Sequence, residues 1–333
     1  MVILEIQEKP DSEWNSRLKN SELGTIFHTK EYATYIHSRL KAKPIYLKFY
    51  DSDKIVSQLL AFQTYKGSKK ISKWFGRGFI YSFASKSSLF PKQIFWTFGP
   101  IIFNNNFQNE IYDTLGNFLI KEKLNFNGSS HPLQTEYIFP SKFNFIKEQQ
   151  STFIINLNQS LGTIFKKTNK HSVQKNIKRS EERGVTITEI NSKQDLVIYY
   201  QLQKEYRMKN KMTPYLKNDI TEGFSLLQPI GYGGFLAWYN KNPVSGISFS
   251  FFNGYINESG IARTNIDTEK NLYSQDLLRW KIIEWGIKNN CRYYDLSGVK
   301  SNNRSMKEEG IFRNKKKWGG TQYNYWMFKS DWK

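Results

Sequence analysis

The segment SQDLLRWKIIEWGIKNNCRYYDLSG, residues 274–298, determines the fold class that we expect for this chain. Leu278, Ile282 and Trp285 recur at three- and four-residue spacing, which is typical of a helix with one buried face. Ser274 stands just before these positions as a typical N-cap residue. The run CRYYDLSG then predicts a buried strand. A helix that leads directly into a buried strand indicates a mixed α/β protein.

The same order of elements occurs twice along the chain. In each half the sequence predicts helices, a central hairpin, and then strand, helix and strand. One long helix is predicted across SLGTIFKKTNKHSVQKNIKRSEERG, ending at Gly184. We therefore predict two tandem copies of one mixed α/β unit, residues 1–148 and 149–333. The last strand, from about residue 321, is expected to return to the N-terminal unit.

Composition and charge narrow the class of protein. The chain has 333 residues, of which 39% are hydrophobic and 16% aromatic, so it can fill sizeable cores. With 49 basic and 29 acidic residues the net charge is +20, which favours a polyanionic partner such as RNA, a phosphorylated precursor or an anionic membrane face. The sequence shows neither a long apolar span nor a signal-like start, so we expect a cytoplasmic protein with a peripheral contact at the inner membrane face. The single Cys291 is expected to be a buried thiol.

Several kinds of catalytic site are disfavoured by missing motifs. The four histidines show no metal-binding spacing, and we expect no metal and no cofactor. The serine-hydrolase elbow, the P-loop and the dinucleotide fingerprint are all missing. The glycine-rich loop that holds the pyrophosphate of coenzyme A is missing between the strand near GIARTN and the following helix. An acyl-CoA donor is therefore disfavoured.

Basic residues of the second half fall into three segments. The third runs through GIFRNKKKWGG, residues 310–320, which we expect to be a loop that binds an anion. Its glycines would let the backbone approach a ligand, and Trp318 would stack on a base or sugar. The candidate substrate-binding residues of the three segments are Lys175, Arg179, Arg207, Lys209, Lys316, Lys317 and Trp318.

Three motifs together resemble the FemABX peptidyltransferases, a branch of the GNAT acyltransferase superfamily. They are TFII…KNIKRSEERGV at residues 152–185, LLRWKIIEWG…YYDLSG at 277–298, and GIFRNKKKWGG at 310–320. The resemblance implies two GNAT-like domains without a coiled-coil arm. It also implies transfer of an aminoacyl group from aminoacyl-tRNA to an amine of a UDP- or lipid-linked peptidoglycan precursor.

The resemblance also implies site residues. Aligned on Trp318 and Gly319, the family's C-terminal lysine falls on Lys315, where it would stabilise the oxyanion formed when an amine attacks an ester. Arg313 is the alternative in a second register. Asp295 matches an aspartate at a strand end and would either cap the following loop or orient the amine.

Two other functions remain open at this point. One is an N-acyltransferase of envelope polysaccharide, or of another acceptor, that uses an acyl thioester. The other is a module that binds RNA or a membrane surface without catalysis.

Overall fold

The computed structural model describes residues 1–65, 91–134 and 139–330 of the chain. The described residues form two compact units. One is built from Met1–Ser151 and Tyr323–Lys333 and the other from Thr152–Gln322. We call them the N-terminal unit and the C-terminal unit.

The N-terminal unit is a sheet covered by helices. Its described helices are α1 (Trp14–Lys19), α2 (Lys30–Leu40) and α3 (Gln108–Lys121). Its described strands are β1 (Ile3–Gln7), β2 (Lys43–Asp51), β3 (Lys54–Tyr65), β4 (Lys92–Phe95), β5 (Ile101–Ile102), β6 (Asn125–Ser129), most of β14 (Thr321–Lys329), and the first half of β7 (Ile146–Asn156). The strand order is β1-β2-β3-β4-β6-β14-β7, and β5 pairs with β3.

The C-terminal unit contains the second half of β7 and the elements that follow it. Its helices are α4 (Leu161–Lys167), α5 (Lys175–Glu182), α6 (Lys193–Lys209), α7 (Lys217–Gly231), α8 (Asn265–Glu269), α9 (Ser274–Lys288) and α10 (Met306–Lys316). Its strands are β8 (Thr186–Glu189), β9 (Tyr232–Tyr239), β10 (Asn242–Phe252), β11 (Tyr255–Arg263), β12 (Tyr293–Asp295) and β13 (Val299–Lys300). The order is β7-β12-β11-β10-β9-β8.

A parallel pair of strands lies at the centre of the C-terminal sheet. β11 and β12 are parallel, whereas β12 pairs with β7 in antiparallel fashion. A parallel connection needs a crossover, and α8 and α9 supply it. α9 buries Leu278 and Ile282 completely in the core of this unit, as its spacing predicted. The crossover places β12 between β7 and β11. Several polar side chains lie close together at the end of β12.

Two predictions about local structure in the C-terminal unit are wrong. The long helix predicted from residue 160 is interrupted, because the Asn169 side chain accepts hydrogen bonds from the backbone N–H groups of His171 and Ser172 and starts a new segment. That segment is a π-helix, Lys170–Gln174. Ser274 is not the N-cap of α9. Its hydroxyl and its backbone N–H both donate to Asp267, and Tyr273 occupies the cap position.

The predicted loop at residues 310–320 is also wrong, because most of it is helical. α10 extends to Lys316, and a capping box between Ser305 and Glu308 fixes its start. The buried side of this helix carries Phe312 and Lys315, three residues apart. A lysine of the predicted loop therefore points into the protein.

Candidate active site

Lys315 belongs to α10, and its side chain is almost completely buried beside the end of strand β12. The residue is only 8% exposed. Its Nζ donates hydrogen bonds to the carbonyl oxygens of Ser297 at 2.6 Å and Gly298 at 3.0 Å. Among the described residues these are its two hydrogen-bond partners. One N–H of the ammonium group is therefore left without a hydrogen-bond partner among the described residues.

The environment of Lys315 lowers its pKa. Burial is the largest cause, and the nearby positive charge of Arg279 adds to it. The carboxylates of Glu258 and Asp295 oppose the shift, and the resulting pKa is about 8. At neutral pH Lys315 is therefore still mostly protonated, but it releases its proton at a lower pH than an exposed lysine does. Lys315 can therefore act as a cation that exchanges its proton easily.

Asp295 is fully buried and its carboxylate has several donors. Oδ1 accepts from the Thr152 hydroxyl and, at 2.8 Å, from the backbone N–H of Ser297. Oδ2 accepts from Tyr255 at 2.6 Å and from Asn257 at 3.2 Å. Burial raises the pKa of Asp295, although these hydrogen bonds and Lys315 work against that shift. Of the two roles left open for Asp295, this geometry favours the structural one, in which it caps the loop after β12.

Ser297 forms a strained turn that presents the partners of Lys315. Its φ of 66° lies in the left-handed region, which is unusual for a residue other than glycine. The turn is held at its backbone N–H by Asp295 and at its hydroxyl by the carbonyl oxygen of Glu258. The Ser297 carbonyl oxygen also lies 2.9 Å from Thr152 Oγ1, so it shares with Asp295 the single proton of that hydroxyl. Asp295 therefore positions Lys315 indirectly, through this turn.

A second buried carboxylate lies on the neighbouring strand. Glu258 forms a two-point ion pair with Arg279 of α9, with both N···O distances at 2.8 Å. Tyr294 donates to Glu258 at 2.7 Å, and Arg279 also donates to Asn314 of α10 at 2.9 Å. Burial would raise the pKa of Glu258, but Arg279 and Tyr294 outweigh it and the net pKa is lowered. This network joins β11, β12, α9 and α10 around Lys315.

The alternative catalytic candidate, Arg313, does not join this cluster. Its side chain is 73% exposed and lies 3.8 Å from Glu309 on the same helix. Two residues along a helix correspond to roughly opposite faces, so Arg313 and Lys315 cannot point the same way. Phe312, the aromatic residue of that second register, packs in the core against Phe153. Lys316 is exposed.

Four of the predicted substrate-binding residues lie on connected elements. Lys317 forms an ion pair with Asp276 at 3.1 Å, and Asn176 of α5 donates to the same carboxylate at 2.7 Å. Arg179 of α5 lies over the ring of Tyr273, 5.9 Å from its centre. The end of α10 thus meets α5 at the first turn of α9. This basic surface contains Lys175, Arg179, Lys316 and Lys317.

Arg207 and Lys209 belong to a different part of the C-terminal unit. Arg207 donates to the carbonyl of Thr213 at 2.7 Å and lies over the ring of Tyr215. Lys209 donates to the side chain of Asn265. Within the described structure neither residue has a hydrogen bond, ion pair or ring contact with Lys315 or its partners. The described contacts therefore link neither residue to the site around Lys315.

Trp318 is part of the hydrophobic core and has no exposed ring face, so its predicted stacking on a ligand does not hold. The neighbouring glycines serve packing as well. Gly319 has a φ of 73°, and a Cβ there would come within 2.3 Å of the Lys167 carbonyl oxygen. Gly320 packs against the Ile154 carbonyl. The glycines thus let the chain after α10 fit against α4 and β7.

Sequence reasoning missed Glu258 and Arg279, the most extensively bonded pair in the site. Arg279 offered one signal, because it is a cation within the apolar run LLRWKII of a predicted buried helix. A buried arginine normally has an anionic partner. The sequence alone gave no means of placing Glu258 opposite it. Cys291 is buried as predicted, and burial raises the pKa of its thiol to about 11.

The described part of the chain lacks two kinds of feature. No group of three or more histidine, cysteine or acidic side chains there is arranged to hold a metal ion. No helix there combines the length and the apolar character needed to cross a membrane.

Comparisons with known proteins give the fold. No protein-family model and no curated protein matches the sequence. A crystal structure of FemX superimposes with a TM-score of 0.72 over 97% of this chain and 96% of its own, at 10% identity. The C-terminal domain of a putative lysylphosphatidylglycerol synthetase from Agrobacterium fabrum gives 0.57, covering 96% and 93%, at 8% identity. A tandem GNAT protein from the clavulanic acid biosynthesis pathway gives 0.55 over all of both chains, at 8% identity. The chain therefore has the tandem GNAT-like α/β fold of which FemX is an example.

Proposed function

We propose that this protein is an aminoacyltransferase that moves an aminoacyl group from aminoacyl-tRNA to an amine of a cell-wall peptidoglycan precursor. The observation that carries the proposal is the burial of Lys315 beside the end of β12, with Nζ fixed on two carbonyl oxygens and its third N–H without a partner among the described residues. The fold shared with FemX agrees with this class of reaction.

The reaction requires an amine to attack the ester carbonyl of the aminoacyl-tRNA. A C–N bond forms, the carbonyl oxygen becomes an oxyanion, and the C–O bond to the terminal ribose then breaks. The proton lost by the amine ends on the departing ribose oxygen, so atoms and charges balance. An ammonium group in a poorly solvated site stabilises the oxyanion far more than it would in water. We assign that role to Lys315, with Asp295 as a positioning residue.

Recognition of the tRNA is assigned to the basic surface of Lys175, Arg179, Lys316 and Lys317. Lys175 and Lys316 are exposed, and exposed lysines neutralise phosphates without fixing a nucleotide sequence. The precursor, which carries phosphate when it is UDP- or lipid-linked, would use the same kind of contact. Arg207 and Lys209 are left as a separate candidate group for this acceptor.

An acyl thioester is less well supported than aminoacyl-tRNA as the donor. In the phosphate-loop position between β11 and α9 the chain forms the short helix α8, whose sequence NIDTE contains no glycine. A backbone without those glycines does not close around a pyrophosphate.

The proposal is tested by a transfer assay. A pool of radiolabelled aminoacyl-tRNAs is offered with UDP-linked muropeptides, lipid-linked muropeptides or phosphatidylglycerol vesicles, with and without ribonuclease. We expect label to move to a muropeptide only while the tRNA is intact. Transfer from acetyl-CoA or another thioester instead, or salt-sensitive tRNA binding without any transfer, would contradict it. Label found only on phosphatidylglycerol would contradict the peptidoglycan precursor and identify a lipid as the acceptor.

A further inference from the structure

One surface of the C-terminal unit carries exposed apolar side chains among cations. It consists of the end of α6, the turn at residues 210–216 and the start of α8, and we call it the Met208 surface. Met208 is 59% exposed, Leu216 is 56% exposed and Ile266 is 39% exposed. Single exposed apolar side chains are common on proteins, but several on one surface indicate an interaction site.

The turn after α6 is folded back onto the last turn of that helix. Arg207 Nε donates to the carbonyl oxygen of Thr213 at 2.7 Å, and the backbone N–H of Met212 donates to the carbonyl oxygen of Arg207 at 2.8 Å. The Arg207 guanidinium also lies over the ring of Tyr215, 4.1 Å from its centre. Leu216 follows Tyr215 directly, so these contacts hold its exposed side chain beside the end of α6.

The start of α8 meets the same helix end from another side. Lys209 Nζ donates to the side chain of Asn265, and Ile266 is the next residue. Arg207 and Lys209 lie roughly 160° apart around the helix axis, with Met208 between them. Met208 therefore lies between the turn that carries Leu216 and the helix that carries Ile266, and the three apolar side chains share one surface.

Cations surround these apolar side chains. Residues 204–217 include one acidic residue, Glu205, and five cations, which are Lys204, Arg207, Lys209, Lys211 and Lys217. The segment around α8, residues 263–270, adds two cations and two acidic residues, so its charges balance. Lys204, Lys211 and Lys217 are exposed, and none of them forms an ion pair with an acidic residue that the structure describes. The Met208 surface therefore has a net positive charge.

An anionic membrane matches both features of this surface. Lipid phosphates attract the cations, while apolar side chains enter the boundary between the headgroups and the acyl chains. RNA would also attract the cations, but its phosphate backbone offers no apolar layer to cover Met208 and Leu216. We propose that the Met208 surface docks the protein on a bilayer that contains anionic phospholipid. This inference goes beyond the proposed transfer reaction, because composition alone gave an anionic membrane as one of several partners and indicated no surface for it.

The experiment measures co-sedimentation of the full chain with vesicles of phosphatidylcholine, with and without phosphatidylglycerol. A chain of net charge +20 is attracted to any anionic vesicle, so the decisive variant leaves the charge unchanged. It is the double variant Met208→Ser, Leu216→Ser. We expect it to weaken binding to the phosphatidylglycerol vesicles by about tenfold or more, because two apolar side chains no longer enter the bilayer.

The matched control is the double variant Met306→Ser, Ile3→Ser. It also replaces one exposed methionine and one exposed aliphatic residue, away from the Met208 surface, and it should bind the vesicles like the wild type. The substituted side chains are exposed in both double variants, so thermal unfolding should stay close to that of the wild type. If the first variant fails to fold, Met208→Ser alone replaces it in the same measurement.

A second pair of variants tests the charges. Lys204→Gln, Lys211→Gln should weaken vesicle binding by about tenfold or more, since each cation close to an anionic membrane surface contributes to affinity. Lys54→Gln, Lys92→Gln removes the same charge from exposed positions of the N-terminal unit and should have a clearly smaller effect.

Three results would overturn the proposal. They are no binding to phosphatidylglycerol vesicles, equal binding by the two serine double variants, and a loss of tRNA affinity in Met208→Ser, Leu216→Ser, which would show that this surface holds RNA. The readout is vesicle binding, so a failure of the proposed transfer reaction would leave this result unchanged.

Discussion

Lys315 differs from its neighbours Arg313 and Lys316 in burial, not in chemistry. All three are cations in one short segment, yet Lys315 alone of them points into the protein, and its pKa is lowered to about 8. Burial removes water from the ammonium group, and the two carbonyl oxygens hold it in place. These features make substitution of Lys315 the sharpest test of the proposed transfer reaction.

The pKa of Lys315 predicts a pH dependence with a definite sign. If the protonated form stabilises the oxyanion, the activity that depends on this group is full well below pH 8 and is lost as the pH rises through about 8. A lysine acting as a general base would give the opposite slope. The measurement is kcat/KM for transfer between about pH 6 and 10.

The control for this pH dependence is Lys315→Arg. An arginine stays protonated across the whole range, so the decline above pH 8 should disappear in any activity that this variant retains. An unchanged decline in the variant would show that another group titrates.

The buried pair of Glu258 and Arg279 predicts a large effect on stability. Arg279→Met leaves the Glu258 carboxylate buried without its counter-charge, which should lower the free energy of unfolding by about 3–5 kcal/mol. The double variant Arg279→Met, Glu258→Gln removes both charges, and it should recover at least about 1 kcal/mol of that loss. Chemical denaturation of the two single variants and the double variant measures the coupling. Additive losses would contradict the importance of this pair.

At the scale of elements, α10 sets the position of Lys315. The helix is fixed at its start by the capping box of Ser305 and Glu308 and near its end by Phe312, Lys315 and the core residue Trp318. Because the two ends are fixed independently, a change at the start should cost stability without moving the lysine.

Ser305→Ala tests this arrangement. Loss of the cap should lower the free energy of unfolding by about 1 kcal/mol, the usual effect of removing an N-cap side chain. The transfer rate, measured well below the unfolding temperature, should remain within about twofold of the wild type. A large loss of transfer together with a small loss of stability would mean that the start of α10 contributes to the site directly.

Periodic apolar residues account for the parts of the fold that the sequence predicted. The central helix α9, the hairpin of β2 and β3 and the hairpin of β9 and β10 all follow from such spacing. α10 was missed because it is lysine-rich, contains Gly310 and has no continuous apolar stripe. Its buried face would have been visible only from the spacing of Phe312 and Lys315, once the segment was treated as a helix.

The candidate site was only partly predictable for a related reason. Asp295 and Lys315 came from the resemblance to a family, and the structure brings the two together around Ser297. Glu258 and Arg279 are 21 residues apart and meet only because β11 and α9 pack against each other. Such a pairing depends on tertiary structure, which local spacing does not contain.

At the scale of the whole molecule, the net charge of +20 is distributed over both units, whereas the proposed tRNA surface lies in the C-terminal unit. General attraction and specific phosphate contact therefore make different predictions. If the attraction is general, the loss of tRNA affinity depends on the total charge removed. If particular phosphates are contacted, the loss depends on which positions lose their charge.

Salt dependence of tRNA binding separates these two contributions. The double variant Lys175→Gln, Lys316→Gln should reduce the slope of log K against log salt by about 1.4, or 0.7 for each lost contact with a single strand. The control Lys54→Gln, Lys92→Gln removes the same charge from exposed positions of the N-terminal unit and should leave the slope almost unchanged. Equal changes in both double variants would contradict a localised surface.

The single-turnover rate of aminoacyl transfer in Lys315→Met, compared with Lys307→Met, tests directly whether Lys315 is the catalytic residue. Both lysines lie on α10, and Lys307 is exposed. We expect Lys315→Met to lower the rate at least about 100-fold while tRNA affinity changes less than about threefold, because only the transition state gains from this cation. Lys307→Met should react like the wild type. Equal rates in the two variants would contradict the assignment of Lys315 as the catalytic residue.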